Sequence, residues 1–119
     1  MLAKSQAKHL KQGSAAEDAA ADFLQQKGLK LIARNFRCPY GEIDLIMQDG
    51  KTLVFIEVRL RSSNNFGGAA MSITQSKQQK LKRSAERYMQ IHGECACRFD
   101  AVLMQTIDTG TLEWVHNAF

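Results

Sequence analysis

Two stretches of this chain carry acids where a buried strand favours apolar residues: Gly41-Glu42-Ile43-Asp44-Leu45-Ile46-Met47 and Leu53-Val54-Phe55-Ile56-Glu57-Val58-Arg59. Successive side chains of a strand point to opposite faces. Alternation therefore predicts Ile43, Leu45 and Met47 on one face of the first run and Glu42, Asp44 and Ile46 on the other. In the second run it predicts Val54, Ile56 and Val58 on one face, with Leu53, Phe55, Glu57 and Arg59 opposite. Asp49-Gly50 lies between the runs, and both residues tolerate positive φ, so the two strands are expected to pair as a hairpin. A turn centred on Asp49-Gly50 sets Glu57 opposite Glu42 and Asp44 on the diagonal, about 7–8 Å from Glu57 at Cα. Carboxylates gathered in this way repel one another and are costly to desolvate. A hard divalent cation, Mg²⁺ or Mn²⁺, would offset that cost, because such ions favour oxygen ligands. An ion pair of Arg59 with Glu57 or Asp44, with Glu42 solvated at the strand start, would do so as well. The residues alone leave both readings open.

The elements that position these acids can be read in outline. Ser14-x-x-Glu17 has the form of a capping box, Asp18 and Asp22 suit a helix start, and Gly28 offers a stop. The spacing predicts a helix over 14–27 that packs through Ala16, Ala19, Ala20, Phe23 and Leu24. Glu17 is then explained by capping alone. Residues 1–12 hold Lys4, Lys8 and Lys11 without an apolar face and read as a mobile basic arm. Three β-like runs follow, over 29–37, 42–48 and 52–59. Residues 62–71, with Asn64, Asn65, Gly67 and Gly68, read as a loop. A second helix is expected over 74–91, with Leu81, Ala85, Tyr88, Met89 and Ile91 inward. Two closing strands are expected over 98–105 and 112–116, joined around Asp108-Thr109-Gly110. The result is an α/β fold, a mixed β-sheet with flanking helices in the order α-β-β-β-α-β-β.

The chain has 119 residues, 45% of them hydrophobic, which suits one domain with one core. Its net charge of +4 is unevenly spread. Residues 1–37 hold seven bases and three acids, and 38–58 hold one base and four acids. Residues 59–98 hold eight bases and two acids, and 99–119 hold three acids and no base. Basic stretches thus flank an acidic centre, as a polyanion-binding protein with a cation site would require. Lys77, Lys80, Lys82, Arg83 and Arg87 decorate the second helix as candidate phosphate contacts, although a solvated helix face needs no such role. Asp100, entering an apolar strand, reads as a pairing or turn-stabilising acid.

Three cysteines, Cys38, Cys95 and Cys97, suggest no disulfide framework and fit a reducing cytoplasm. His92-x-x-Cys95-x-Cys97 with a distant Cys38 does not match a closed zinc spacing. The start of the chain has no signal-like apolar stretch, and no run nears the ~18 apolar residues of a membrane span, so no membrane partner is expected.

The Gly41-Glu42-Ile43-Asp44-Leu45-Ile46 motif, a short turn, then Phe55-Ile56-Glu57-Val58-Arg59, preceded by a helix bearing Glu17, resembles the PD-(D/E)xK or restriction-endonuclease-like superfamily. More narrowly, the chain resembles the YraN family of small uncharacterised bacterial proteins, which are similar to archaeal Holliday junction resolvases. The likeness covers nearly the whole chain. It implies that Asp44 and Glu57 are metal ligands and that Glu17 is an additional acid acting directly or through water. Arg59 stands where active nucleases of the superfamily usually have Lys. An arginine stays charged, with a pKa above ~12, and can only balance charge. Lys77 is a candidate source of a movable ammonium.

The resemblance implies in-line hydrolysis of a DNA phosphodiester by a metal-activated water, on branched or single-stranded DNA, with Asp44, Glu57 and Glu17 at the ion. Resolvase-like relatives act as dimers, so a homodimer is a further expectation. Two other readings stand beside this one: a nuclease scaffold kept as a catalytically inactive DNA-binding module, and a protein-interaction adaptor.

Overall fold

The computed structural model describes residues 4–60, 73–105 and 112–119, with side chains of the first helix from Ala15 onward. The loop expected over 62–71 and the turn at Asp108-Thr109-Gly110 lie outside the described residues. The elements are α1 (Lys4–Gln26), β1 (Lys30–Cys38), β2 (Gly41–Asp49), β3 (Thr52–Leu60), α2 (Gln75–His92), β4 (Cys97–Met104) and β5 (Glu113–Val115). They form one five-stranded sheet in the order β1-β2-β3-β4-β5. Neighbouring strands are antiparallel except β3 and β4, which run parallel with α2 as their crossover.

The first helix begins at Lys4 rather than near Ser14, so most of the segment expected as a basic arm continues it. Lys, Gln, Ala and Leu, which dominate residues 4–12, are strong helix formers, and extending an existing helix avoids the cost of nucleation. Ser14 and Glu17 therefore lie inside α1, where the backbone N–H groups are already bonded and no capping box is needed. That removes the local explanation for Glu17. The helix stops where expected, with Gly28 at φ +98°.

The β2–β3 hairpin forms, with its register two residues from the expected one. Asp49 pairs with Thr52, Met47 with Val54 and Leu45 with Ile56, leaving Gly50-Lys51 as the loop. Gly50, at φ +61°, supplies the left-handed residue that such a turn demands. A slip of two residues keeps every side chain on its own face, whereas a slip of one would have reversed them all. The ladder stops at Leu45–Ile56, so the expected backbone pairing of Glu42 with Glu57 does not form.

Each face of the sheet carries one helix. Ala16, Ala20, Ala21 and Leu24 of α1 pack with Leu45, Met47, Val54, Ile56, Val102 and Met104. Leu81, Ala85 and Tyr88 of α2 pack with Ile43, Ile46 and Phe55, while Ile91 is exposed rather than inward. Ile43 thus joins Ile46 on the α2 side instead of sharing a face with Leu45 and Met47. The change of face falls where the β2–β3 ladder ends at Leu45–Ile56, where Val58 N–H donates to Asp44 Oδ2 at 2.9 Å, and beside Asn35 of β1, which takes a positive φ of +53°. No helix among the described residues is long and apolar enough to cross a membrane.

Candidate functional site

The break in β2 turns Asp44 into the gap where strands and helix meet. Glu17 of α1 and Glu42 and Asp44 of β2 each bring a carboxylate oxygen within 4.8 Å of the others. Glu57 of β3 adjoins this group closely enough for its carboxyl to act on the ionisation of Asp44. Burial is the largest influence on Asp44, followed by the hydrogen bonding and charge of Glu57, and they push its pKa up to about 8 despite the Val58 N–H. An aspartate in water is ionised well below neutrality. Here the surroundings withhold the compensation that a negative charge needs.

Basic side chains stand around the acids. Arg34 of β1 lies 3.4 Å from Glu17 and also pairs with Asp18. Arg37 lies 3.6 Å from Glu42. Glu57, only 4% exposed, has Lys77 Nζ at 3.3 Å from its Oε2 and Arg59 Nε at 3.9 Å. That buried Oε2 accepts no aligned hydrogen bond among the described residues. Lys77 sits in the first turn of α2, whose start is fixed by Thr74 accepting the Lys77 N–H at 3.1 Å.

The structure therefore gathers Glu17, Asp44, Glu57, Arg59 and Lys77 from four elements into one locality. Glu42 joins them, although the sequence reading allowed it to be merely solvated. The signal was present, since Glu42 and Asp44 alternate onto one face. Arg34 went unread because nothing local marks an arginine in β1 as the partner of acids in α1.

The other candidates resolve differently. Lys80, Lys82, Arg83 and Arg87 are exposed on α2. At 100° per residue, Lys77, Lys80, Arg83 and Arg87 share one side of the helix, while Lys82 stands on the opposite flank. Asp100 is fully buried and takes hydrogen bonds from Arg98 Nε at 3.1 Å, Trp114 Nε1 at 2.9 Å and the Asn117 N–H at 2.9 Å. Arg98 reaches Asp49 as well, at 3.0 Å. Asp100 thus ties β4 and β5 to the β2–β3 turn, which is the structural role expected of it. Among the described residues, Glu17, Glu42 and Asp44 form the one group of three ligand-type side chains close enough to share an ion, so no zinc grouping involves the cysteines. Cys95 and Cys97 are exposed, and Cys38 bonds to Ser84 Oγ at 3.4 Å.

The profile described as Uncharacterised protein family UPF0102 matches residues 16–104. The chain belongs to the UPF0102 family. A UPF0102 protein of Nitrosomonas europaea is 55% identical over 108 residues, covering 90% of this chain and 92% of the relative. One from Methylobacillus flagellatus is 51% identical over 107 residues, covering 90% and 95%. One from Shewanella loihica is 46% identical over 114 residues, covering 95% and 97%. The UPF0102 match spans every acid of the cluster and the whole of α2. These names state a family, so the chemistry has to be argued from the site.

Proposed function

We propose that this protein is a metal-dependent endonuclease acting on structured or branched DNA. The observation that carries the reading is Asp44, wedged between Glu17 and Glu42 on one side and Glu57 on the other, with its ionised form disfavoured until a cation arrives. The donors fit Mg²⁺ or Mn²⁺: all are carboxylate oxygens, and one of them, Glu57 Oε2, is buried without an aligned hydrogen bond. Asp44, Glu17, Glu42 and Glu57 would hold the ion. When bound, it would supply the positive charge and the activated water that phosphodiester hydrolysis needs.

The chain's own residues supply the rest. Arg59, permanently charged, balances negative charge that builds on the phosphoryl group. Lys77 brings an ammonium to within 3.3 Å of Glu57, close to where the superfamily usually places its lysine. Its compact charge can move between Glu57 and a substrate oxygen. Arg34 and Arg37 hold Glu17 and Glu42 from outside, which limits repulsion before the ion binds. The basic side of α2 would take phosphates without reading sequence. Arg59 in the lysine position also favours a second reading, a nuclease scaffold that binds DNA without cutting it.

Cleavage assays with the full chain, Mg²⁺ or Mn²⁺, and nicked, flapped, four-way and single-stranded DNA test the proposal. The wild type should cut at least one substrate, and Asp44→Asn and Glu57→Gln should slow cutting by on the order of a hundredfold or more. Cutting that survives in both variants would assign the activity elsewhere. DNA binding and Mn²⁺ binding without any cutting would favour the non-cutting scaffold.

A further inference from the structure

Two shallow grooves lie on the outward side of α2, apart from the acid cluster. One, of about 180 Å³, is lined by Tyr40, Arg83, Glu86, Arg87 and Gln90. The other, of about 150 Å³, is lined by Ser76, Gln79, Lys80 and Arg83. Arg83 is common to both, so they adjoin. Tyr40 comes from the β1–β2 turn rather than from the helix, and it is 47% exposed. An exposed aromatic ring is ordinary by itself. A ring beside two guanidinium groups in the wall of a groove is a more specific combination.

We propose that this surface binds an unpaired stretch of DNA, with one base stacked on Tyr40, its phosphates at Arg87 and Arg83, and the strand continuing toward Lys80. The inference rests on the nucleic-acid reading above and names the form of DNA that this side of the molecule takes. Base stacking on an aromatic ring tolerates any sequence and requires a base free of its duplex neighbours. Arginine forks suit phosphate oxygens. Arg83 and Arg87 are separated by about 6 Å along the helix axis. The two forks can therefore take neighbouring phosphates of one strand, while the Tyr40 ring is what calls for an unpaired base.

The remaining lining residues also argue for a nucleotide over a bare anion. Glu86 would repel inorganic phosphate, yet its carboxylate can accept an N–H from a base edge. Gln90 Oε1 accepts from Arg87 Nη1 at 3.4 Å and so steadies the guanidinium. Lys82 lines neither groove and lies on the other flank of α2.

Fluorescence anisotropy at low salt with the full chain tests the proposal, using one labelled oligonucleotide as a single strand and as a duplex, with inorganic phosphate as competitor. Tyr40→Ala should weaken single-strand binding by about tenfold and duplex binding by less than about twofold. Tyr40→Trp should restore single-strand binding, and Lys82→Gln should change it little. The Mn²⁺ affinity of Tyr40→Ala, read by calorimetry, should equal that of the wild type. Equal loss on both forms of DNA, no loss on either, or displacement of the single strand by phosphate at comparable concentration overturns the proposal. A wild type that binds duplex but no single strand overturns it and leaves the nuclease reading standing. A wild type that binds no DNA at all overturns both.

Discussion

Replacing Asp44 with Asn isolates the charge at the centre of the acid cluster. The amide keeps an oxygen for the Val58 N–H, which Asp44 accepts at 2.9 Å, so the local backbone arrangement is retained. In the wild type, burial first, then the hydrogen bond and charge of Glu57, push Asp44 from 3.8 up to about 8. The unfolded chain has no such neighbours, and its aspartate ionises near ~3.9. Native protein therefore holds a proton that the unfolded chain has already released. Stability should fall as pH climbs from about 4 to about 8 and level off above that. At about 1.4 kcal/mol per pKa unit, a rise of about four units sets a ceiling of about 6 kcal/mol. The Asp44 carboxyl lies against Glu57 and keeps some contact with water, so a loss of about 2–3 kcal/mol is the magnitude to look for. Urea denaturation in EDTA, run at about pH 5 and about pH 8, measures it. The wild type should lose stability toward the higher pH and recover about 2.7 kcal/mol when Mn²⁺ is raised to a hundred times its Kd. Asp44→Asn should be nearly level with pH and indifferent to Mn²⁺. A wild type that is level over this range, or an Asn variant that follows the wild-type curve, would mean that burial of Asp44 does not set the pH dependence.

Three further outcomes follow from the geometry. Lys77→Gln removes the ammonium 3.3 Å from Glu57, so Mn²⁺ should bind several-fold more tightly by calorimetry while cleavage slows. Asp100→Ala leaves the Trp114, Asn117 and Arg98 donors without their acceptor and should cost about 3–5 kcal/mol by urea denaturation, with Mn²⁺ affinity unchanged. Neutralising Lys80, Arg83 and Arg87 together should make the salt dependence of DNA binding shallower by about 2–3 in log–log slope, and an unchanged slope would exclude this side of α2.

The elements around the site were legible where local chemistry decides them. Thr74 starts α2 and Gly93 ends it, and the 3.6-residue spacing of Leu81, Ala85 and Tyr88 picked out its buried side. The β2–β3 hairpin was legible because Asp49-Gly50 interrupts two alternating runs. Its register was not, because either Asp49-Gly50 or Gly50-Lys51 can form the loop, and both choices put the same side chains on the same faces. Ile43 was misplaced for a different reason. Alternation assumes regular strands, and here the β2–β3 ladder gives way to the bond from Val58 N–H to the Asp44 carboxylate while Asn35 of the paired β1 is left-handed.

The site itself was half visible. Asp44 and Glu57 stood out as acids within apolar strands, and Glu17 stood out only through family resemblance. Its neighbourhood pointed instead to a helix cap, because a capping box and a mid-helix Ser-x-x-Glu are identical as text. Only the preceding turns of α1 distinguish them. Arg34 and Arg37 could not be assigned, because their partnership with Glu17 and Glu42 depends on how β1 lies against α1 and β2. Tyr40 is likewise an ordinary turn residue until α2 is seen packed beneath it.

On the reading proposed above, the carboxylates around Asp44 form a seat for a divalent cation. Anomalous diffraction from crystals soaked in Mn²⁺ tests it most directly. A peak is expected within ligand distance of Asp44, about 2.0–2.4 Å, shared with at least one of Glu17, Glu42 and Glu57 and absent from Asp44→Asn crystals. A map with no peak there at saturating Mn²⁺, in crystals grown near neutral pH, would mean that these carboxylates hold no cation.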